Sequence, residues 1–411
     1  MTVRAHAEND DRQPLSDLTI WLDSRNIGRS GGTGVATYVQ GVQTCLTHMG
    51  FHVQYLWDHD PDNGSTQPNS SWQRIVRFLK ACLPARLISR RQGDTTGGSY
   101  PYISDIYRVA HIHFQIWKRL LWLHGQQPPD IMFWTYPLPI LVKNTINIVT
   151  VHDLIPITHP HLTGINPRRL QRLLSQLVTQ ADILVTVSET VRQQIIEIFG
   201  ISASRVVNLY QLAGVTATER RQLTTAPVVA PAGCFICVGR VERRKNIERL
   251  VEAHARSGTE RPLVLLGPDG DDMPDLSPRA PHQQVIRVPW CSRESLLRSL
   301  VNAHALVFPS LAEGFGLPIV EAMALGVPVM TSRGGATEEI AGGSALLVDP
   351  YDVQDIADVI GRLDRMQPGT PQWEALRQGG MKRAEVFTEA AQIGRLRAFH
   401  THLRELFPNR L

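Results

Sequence analysis

The chain lacks long apolar runs: none of its 411 residues fall in a stretch of eighteen consecutive apolar side chains. A membrane-spanning helix needs about 20 such residues, so the sequence predicts none. The N-terminus is polar and has no apolar segment of the kind found in signal peptides. We interpret residues 1–16 as a disordered tail. These absences favour a cytoplasmic protein.

Cysteine is also scarce, with five residues scattered along the chain. An odd, scattered set is typical of reduced thiols and does not indicate a disulfide framework. Cys234 and Cys237 form a C-x-x-C pair, but they lie within the apolar sequence CFICVG and no second pair accompanies them. A buried apolar role is therefore favoured over zinc or redox chemistry.

The net charge of +4 is too small to indicate a nucleic-acid partner. Its distribution is uneven, because residues 72–125 carry nine Lys or Arg against two acids. Two segments there, 72–83 (WQRIVRFLKACL) and 116–125 (IWKRLLWLHG), combine cations with tryptophan. Basic amphipathic helices of this kind suit an anionic bilayer surface, here the inner face of the cytoplasmic membrane. The alternative is a helix packed on the N-terminal sheet with ordinary surface charges.

Alternating strand and helix patterns predict an α/β protein with two parallel sheets. We predict an N-terminal domain at 17–215, a linker at 216–233, where hydrophobicity is low, and a C-terminal domain at 234–388. A last helix at 389–411 could return to the N-terminal domain. Ligands of such sheets bind at the carboxyl ends of the strands, so the cleft between the domains is the expected site.

The segment 309–328, PSLAEGFGLPIVEAMALGVP, is the most informative. After a predicted strand, Glu313 precedes a Gly-Phe-Gly turn, Pro318 begins a short helix, and Glu321 lies within it. The first amides of a helix are unpaired and the helix dipole is positive there, so this turn predicts an anion pocket. The two carboxylates would repel a phosphate and should face hydroxyl groups. A nucleotide sugar has both features.

Three further patterns support this site. Arg240 and Lys245 follow the predicted strand 234–239, where two cations could neutralise a diphosphate; the alternative is a solvated basic turn. Glycines at 28, 31, 32 and 34 precede a helix without forming a dinucleotide fingerprint or a P-loop, and a flexible loop is the alternative. His152 ends another strand, at the expected cleft; the alternative is a histidine held by its neighbour for structural reasons.

Two patterns suggest other chemistry. Asp269 and Asp271 form a D-x-D pair, but in an acidic loop that is more typical of a surface, and we expect no metal. Two carboxylates could also serve a glycoside hydrolase, which has no use for the cations at 240 and 245.

Together, PSLAEGFGLPIVEAMALGVPV, VGRVERRKNIERLVEA, GGTGVATYV and VHDLIPITHP resemble the retaining glycosyltransferases of family 4, which have the GT-B fold. The resemblance covers about residues 17–385. It implies two Rossmann-like domains, a nucleotide sugar in the cleft and no metal or other cofactor. The HDLIP sequence is most similar to bacterial mannosyltransferases that build exopolysaccharide or O-antigen, as in lipopolysaccharide, on a polyprenyl-diphosphate lipid.

The resemblance therefore implies transfer of mannose from GDP-mannose to a lipid-linked oligosaccharide. A UDP-sugar donor such as UDP-glucose or UDP-GlcNAc, or a nucleotide-sugar epimerase, remains open. One departure is visible at 208–215, NLYQLAGV, where the family usually has a short Asn-Gly turn. The resemblance also implies a role for each residue of the site. Glu321 would bind the ribose hydroxyls, Glu313 would approach the donor sugar, and His152 would face the reacting sugar. The diphosphate would be bound by Arg240 and Lys245, donor hydroxyls and phosphate oxygens by the amides of Gly314, Phe315, Gly316 and Leu317, and the phosphates would be covered by Gly31, Gly32, Thr33 and Gly34.

Overall fold

The computed structural model describes residues 18–27, 34–59, 71–83, 85–93, 98–270 and 272–411. Its strands are β1 Thr19–Asp23, β2 His52–Leu56, β3 Ala85–Leu87, β4 Ser89–Gly93, β5 Gly98–Tyr102, β6 Leu121–His124, β7 Ile131–Trp134, β8 Ile140–Val142, β9 Ile146–Val151, β10 Ile183–Thr186, β11 Val206–Asn208, β12 Phe235–Val238, β13 Leu263–Leu266, β14 Val285–Val288, β15 Ala305–Phe308, β16 Val329–Ser332 and β17 Leu346–Val348.

The helices alternate with these strands. They are α1 Gly34–His48, α2 Ser71–Ala81, α3 Ile106–Trp117, α4 Ile155–Thr158, α5 Pro167–Gln180, α6 Glu189–Phe199, α7 Ala217–Gln222, α8 Ile247–Arg256, α9 Arg293–Asn302, α10 Leu317–Ala324, α11 Gly335–Ala341, α12 Val353–Arg365, α13 Pro371–Ala384 and α14 Glu389–Leu406. Short 3-10 turns occupy Pro160–Leu162, Ala203–Arg205, Arg243–Lys245 and Glu385–Phe387.

Two six-stranded parallel sheets organise the molecule, in the orders β11-β10-β9-β7-β1-β2 and β14-β13-β12-β15-β16-β17. The central strands are continuous apolar runs; every residue of β9 and β15 is buried. Such runs are typical of parallel strands covered by helices on both faces. The predicted architecture of two α/β domains is confirmed. A three-stranded sheet, β3-β6-β8, and an antiparallel pair, β4-β5, complete the N-terminal domain.

The C-terminal helix α14 packs against α1 of the N-terminal domain. Its Phe399 and Leu403 are buried in the hydrophobic core. Arg395 donates through Nε to the Leu209 carbonyl at 2.9 Å, and Arg410 beyond the helix pairs with Asp182 at 2.8 Å. The chain therefore crosses between the domains twice, once before α7 and once before α14.

The segment predicted as a linker, 216–233, is partly helical and belongs to the C-terminal domain. Thr216 and Glu219 form a capping box that starts α7, which explains a helix in a stretch of low hydrophobicity. Arg220 donates to the Ala324 carbonyl at 2.7 Å, and the Val229 amide donates to Ser299 Oγ at 3.2 Å. The crossing itself lies before this segment, at 209–215.

The prediction of one amphipathic helix at 116–125 was wrong. Helix α3 ends at Trp117 because Lys118 adopts a left-handed conformation (φ 55°) and closes the last turn through its amide. Residues Leu121–His124 then form the parallel strand β6. Ile116 and Trp117 remain exposed, and Lys143 lies over the Trp122 ring at 4.0 Å.

Helix α2 matches the helix predicted at 72–83, but its orientation is unusual. Arg77 is buried and its Nε lies 3.1 Å from Asp105, so a cation faces the interior. The apolar side chains face solvent instead, and each of the following is more than half exposed: Trp72, Ile75, Phe78, Leu79 and Leu83. Among the described residues, no helix is both long and apolar enough to cross a bilayer.

Candidate active site

The Gly-Phe-Gly turn connects β15 to α10 and lies against the N-terminal domain. Gly316 has φ 107°, a conformation that favours glycine. A Cβ on Gly314 would lie 2.0 Å from the carbonyl oxygen of His152, so no other residue fits there without moving that backbone. The turn therefore lies at the interface of the two domains, as its position at the carboxyl end of a parallel strand requires.

Glu313 precedes this turn and is held between two cations. Its Oε1 accepts from Lys245 Nζ at 2.5 Å, and its Oε2 accepts from Arg244 at 2.6 Å. Arg244 also pairs with Glu242 at 2.7 Å and donates to the Ala312 carbonyl at 3.1 Å. The side chains of Glu313 and Lys245 are each 9% exposed. These contacts form a buried, hydrogen-bonded ionic cluster.

Charge and burial shift the pKa of Glu313 in opposite directions. Burial alone would raise its pKa, but the charges of Arg244 and Lys245 and their hydrogen bonds outweigh burial and lower the pKa to about 2. Glu313 is therefore a carboxylate throughout the physiological range, and it can only accept hydrogen bonds.

Lys245 is positioned by the segment that follows β12. It ends the 3-10 turn Arg243–Lys245, after which Asn246 (φ 61°) starts α8. Gly239 has φ 135°, and a Cβ there would lie 3.2 Å from the Cε atom of Lys245. The ammonium group is 4.4 Å from the centre of the Phe308 ring, which supports a cation–π contact. The lysine is thus fixed beside the end of β15.

Arg240 lies apart from this buried cluster. It is exposed, and its guanidinium donates to the Asp269 carbonyl at 3.2 Å. The Asp269 carboxylate pairs with Arg287 at 2.6 Å. Asp271, the other member of the predicted D-x-D pair, lies outside the described residues. Within them, no group of three or more His, Cys, Asp or Glu side chains is arranged to hold a metal ion.

Glu321 occupies the buried face of α10 and forms a second ionic contact. Its Oε1 lies 2.5 Å from Arg293, the first residue of α9. Arg293 also pairs with Glu219 at 3.1 Å and donates to the Gly214 carbonyl at 3.4 Å. The arginine therefore connects the carboxylate predicted to bind ribose with the segment where the chain crosses between domains.

His152 follows β9 and faces the turn through its backbone. Its Nε2 lies 2.8 Å from the Thr135 carbonyl, so Nε2 carries the proton and donates it, which leaves Nδ1 as an acceptor. Burial lowers the pKa of His152 to about 4, although this hydrogen bond opposes the shift. The Tyr38 ring meets the imidazole edge-on at 4.9 Å. The histidine is neutral near pH 7.

Asp153 is the next residue and is also largely buried. Burial raises its pKa, while Arg244 lowers it. Its Oδ1 accepts from the Ile155 amide at 3.1 Å. Asp153 and Glu313 both line a cleft of about 480 Å³ between the two domains, together with residues from α6, the start of α11 and Tyr351. The carboxyl ends of both sheets thus face a cavity of a size typical of ligand sites.

The remaining predicted residues are only partly within the described chain. Gly31, Gly32 and Thr33 lie outside the described residues. Gly34 begins α1, and a Cβ on it would meet Leu317 Cδ1 at 3.3 Å, so α1 and α10 approach closely. The Phe315 ring is buried against Phe387 at 5.4 Å. Its side chain supports the turn, whereas its backbone amide is the group that a ligand would use.

The two domains are also joined at the start of α6. Glu339, from α11 of the C-terminal domain, accepts from the amides of Glu189 and Thr190 at 2.7 and 2.8 Å and from Thr190 Oγ1 at 2.6 Å. A carboxylate at a helix N-terminus is stabilised by the unpaired amides and the dipole. This contact holds the two sides of the cleft together.

Residues 32–210 match the family model "Glycosyltransferase Family 4", and residues 232–365 match "Glycosyl transferases group 1". Together these matches span about three quarters of the chain. The chain is a glycosyltransferase with a family 4 domain in its N-terminal half and a group 1 domain in its C-terminal half.

This glycosyltransferase is 29% identical to the O-antigen chain mannosyltransferase B of Escherichia coli over 75% of its own length and 78% of that protein. It is 27% identical to the D-inositol 3-phosphate glycosyltransferase of Thermobifida fusca, over 98% and 97% of the two chains. Its structure resembles the sucrose-phosphate synthase of Thermosynechococcus elongatus with a TM-score of 0.63, at 20% identity, over 95% and 99% of the chains. The fold of the glycosyltransferase is GT-B, as the sequence predicts.

Two residues of the glycosyltransferase site were missed at the sequence level. Arg244 was not singled out, yet it holds Glu313; its position beside Lys245 after a strand was the available signal. Arg293 was not considered. It begins a helix directly after a predicted strand of this domain, and such a position lies at the edge of the sheet where ligands are expected.

Proposed function

We propose that this glycosyltransferase moves mannose from GDP-mannose, with retention of anomeric configuration, onto a polyprenyl-diphosphate-linked oligosaccharide in the synthesis of bacterial surface polysaccharide. The observation that carries the proposal is Glu313, held ionised by Lys245 and Arg244 at the N-terminus of α10. The similarity to an O-antigen chain mannosyltransferase of Escherichia coli supports mannose and the pathway class.

The donor's diphosphate would bind between Lys245, Arg240 and the first amides of α10. Pro318 has no amide hydrogen and the Ile319 amide already donates to the Gly316 carbonyl at 3.0 Å. In the described part of the chain no side chain caps the helix, so the Leu317 amide is the one available to an anion. In the structure Lys245 is engaged by Glu313, and the incoming diphosphate would compete with that carboxylate. Glu313 would then turn one oxygen towards the donor sugar, and Glu321 would accept from the ribose hydroxyls.

The reaction follows from charge. The bond between the sugar's C1 and the phosphate oxygen breaks, and its electron pair leaves with the nucleoside diphosphate. Lys245 and the α10 amides stabilise that charge where it develops, as an oxyanion hole does. The acceptor hydroxyl oxygen bonds to C1 from the same face, and its proton passes to the departing phosphate oxygen. No strong enzyme base is required.

His152 would orient the donor sugar. Because it is neutral and its Nε2–H is committed to Thr135, its Nδ1 is left to accept a hydrogen bond from a sugar hydroxyl. A cationic histidine would instead repel the positive charge that develops on the sugar ring. The lowered pKa is thus suited to this role. We propose that transfer needs no metal, since Lys245, Arg240 and the backbone amides would together neutralise the diphosphate.

The acceptor would reach the cleft from a membrane surface. We propose that the protein acts in the cytoplasm, at the inner face of the membrane, and that the exposed apolar face of α2 and Trp117 contact the bilayer. The cations Arg74 and Arg91 lie exposed in the same part of the chain and would favour anionic lipid.

A thermal-shift panel of GDP, UDP and ADP with their sugars tests the donor. A ligand that binds only the native state raises the melting temperature in proportion to its affinity, so GDP and GDP-mannose should give the largest shifts. A larger shift with UDP-sugars would overturn GDP-mannose and support the alternative donor. Formation of an isomer from donor alone would indicate an epimerase.

A transfer assay with GDP-mannose tests the site. Lys245→Ala should lower the rate of transfer by at least a hundredfold, because a charge that stabilises the leaving group is lost. Lys382→Ala, an exposed lysine on α13, is the matched control and should be unaffected. Normal turnover of Lys245→Ala would refute the proposed role of this lysine.

A further inference from the structure

A second cavity, of about 290 Å³, lies in the N-terminal domain away from the donor site. It is bounded by the C-terminal end of α3 and the N-terminal turns of α5, and its lining includes four cations: Lys118, Arg168, Arg169 and Arg172. Among the described residues, no carboxylate lies within ion-pair distance of any of the four. Four unneutralised cations around one cavity repel one another, which a bound anion would relieve.

The surroundings of the cavity add to its positive potential. Asn166 caps α5 by accepting from the Arg169 amide at 3.0 Å, so the positive end of a fourteen-residue helix faces this region. Phe114, in the cavity wall, is buried and lowers the local dielectric.

His111 beside the cavity provides an independent observation. Arg25 lies 2.6 Å from its Nε2, and Arg169 lies 3.5 Å from its Nδ1. A guanidinium only donates, so Nε2 must accept from Arg25 and the ring proton must be on Nδ1, where it faces another donor. Burial and the two arginines lower the pKa of His111 to about 4, so the ring stays neutral. An anion oxygen beside Arg169 would accept from both donors.

The cavity is connected to the reaction site by a series of side chains. Arg169 contacts His111, which contacts Arg25 at the end of β1. Arg25 lies 5.8 Å from the centre of the Tyr136 ring, which in turn stacks on His152 at 6.3 Å. A saccharide that followed these side chains would run from the cavity towards His152.

We propose that this cavity binds the diphosphate of the lipid-linked acceptor, while the saccharide extends along Arg25 towards the donor sugar. The inference rests on the proposed function for the identity of the acceptor, but the binding of a diphosphate can be measured without it. Ile116 and Trp117 lie exposed directly before Lys118, where the lipid chain would leave the protein.

The test uses the full chain and the double variant Arg168→Ala/Arg172→Ala. Both side chains are exposed and make no hydrogen bond in the described structure, so the variant should fold. The matched control, Arg362→Ala/Arg397→Ala, removes the same charge from exposed positions on α12 and α14. Inorganic diphosphate is titrated calorimetrically into each protein, with the donor site filled by the nucleotide that the thermal-shift panel selects.

We expect diphosphate to bind the wild type and the control equally, and the cavity variant at least tenfold more weakly. In transfer assays, the KM for a short-chain polyprenyl-diphosphate saccharide should rise at least tenfold in the variant. The KM for the same saccharide on a phosphate-free alkyl chain should stay within twofold. Unchanged diphosphate binding overturns the proposal.

Two further outcomes separate the sources of the anion. Loss of binding to phosphatidylglycerol vesicles, with both KM values unchanged, would assign the cavity to bilayer head groups and overturn the acceptor role. If no acceptor is glycosylated, the proposed function fails, whereas the calorimetric titration still decides whether the cavity is a diphosphate site.

Discussion

Replacing Glu313 by Gln tests the buried ionic cluster at its centre. The difference between the ordinary pKa of 4.5 and about 2 in the folded protein corresponds to about 3 kcal/mol of stability. Removing one partner of a buried ion pair costs about 3–5 kcal/mol, because the remaining charge is left uncompensated. The pKa shift and the cost of breaking a buried ion pair thus give similar free energies. Glu313→Gln should therefore lower the free energy of unfolding by about 3 kcal/mol at pH 7.

The contribution of Glu313 to the free energy of unfolding decreases as the pH falls. Because folding lowers the pKa of Glu313, its contribution is complete above pH 4.5 and is lost as the pH falls towards about 2. About half of it should remain at pH 3. The stability difference between wild type and variant should therefore be constant from pH 6 to 8 and shrink below pH 4.5.

Urea unfolding followed by circular dichroism measures this difference, with the slope against urea checked for a change in cooperativity. Glu260→Gln, an exposed glutamate of the same domain, is the control and should lie within about 0.5 kcal/mol of wild type. A Glu313→Gln variant as stable as the control, or a difference that does not vary with pH, would refute the buried cluster.

The same variant also tests the competition for Lys245. Without the carboxylate, the ammonium group is free to meet a diphosphate, so the selected nucleoside diphosphate should raise the melting temperature more in Glu313→Gln than in wild type. Transfer should nevertheless fall, because the donor sugar loses its acceptor group. A smaller thermal shift in the variant would contradict the competition.

Three further outcomes are expected. Arg293→Ala should weaken nucleotide binding roughly tenfold by calorimetry, because it leaves Glu321 buried without its partner; unchanged affinity would argue against ribose binding at this carboxylate. EDTA should leave transfer intact, and a strict requirement for added Mn²⁺ would disprove the metal-free mechanism. Trp72→Ser/Phe78→Ser should reduce sedimentation with anionic vesicles several-fold while Val301→Ser does not; equal sedimentation would refute a membrane contact through α2.

The sequence identified both partners of the main ion pair without showing that they touch. Glu313 and Lys245 are 68 residues apart, and each could be assigned to a strand end from local pattern alone. Their contact depends on strand order: β12 pairs with β15, so the segments that follow both strands meet at one edge of the sheet. Strand order in a parallel sheet is a tertiary property, and a single sequence does not contain it in local form.

For helix α2, the sequence predicts the helix but not which of its faces is buried. The apolar spacing at 72–83 correctly predicts a helix, because periodicity reports local backbone geometry. Periodicity alone does not decide which face of the helix is buried, because a charged side chain can be buried if it forms an ion pair in the protein interior. Asp105, 28 positions after Arg77, provides that partner and allows Arg77 to turn inwards, while Arg74 on the same helix stays exposed. The end of α3 was missed for a related reason, since Lys118 adopts its left-handed conformation without the glycine that usually signals it.

The second crossing of the chain has a consequence for protein engineering. Helix α14 comes from the C-terminal end of the sequence but completes the core around α1. An N-terminal fragment that stops at 215 would therefore expose the apolar side chains that Phe399 and Leu403 cover, and we expect it to aggregate when expressed alone. A chimera intended to exchange donor specificity should therefore take residues 216–388 from one parent, and both the N-terminal half and α14 from the other.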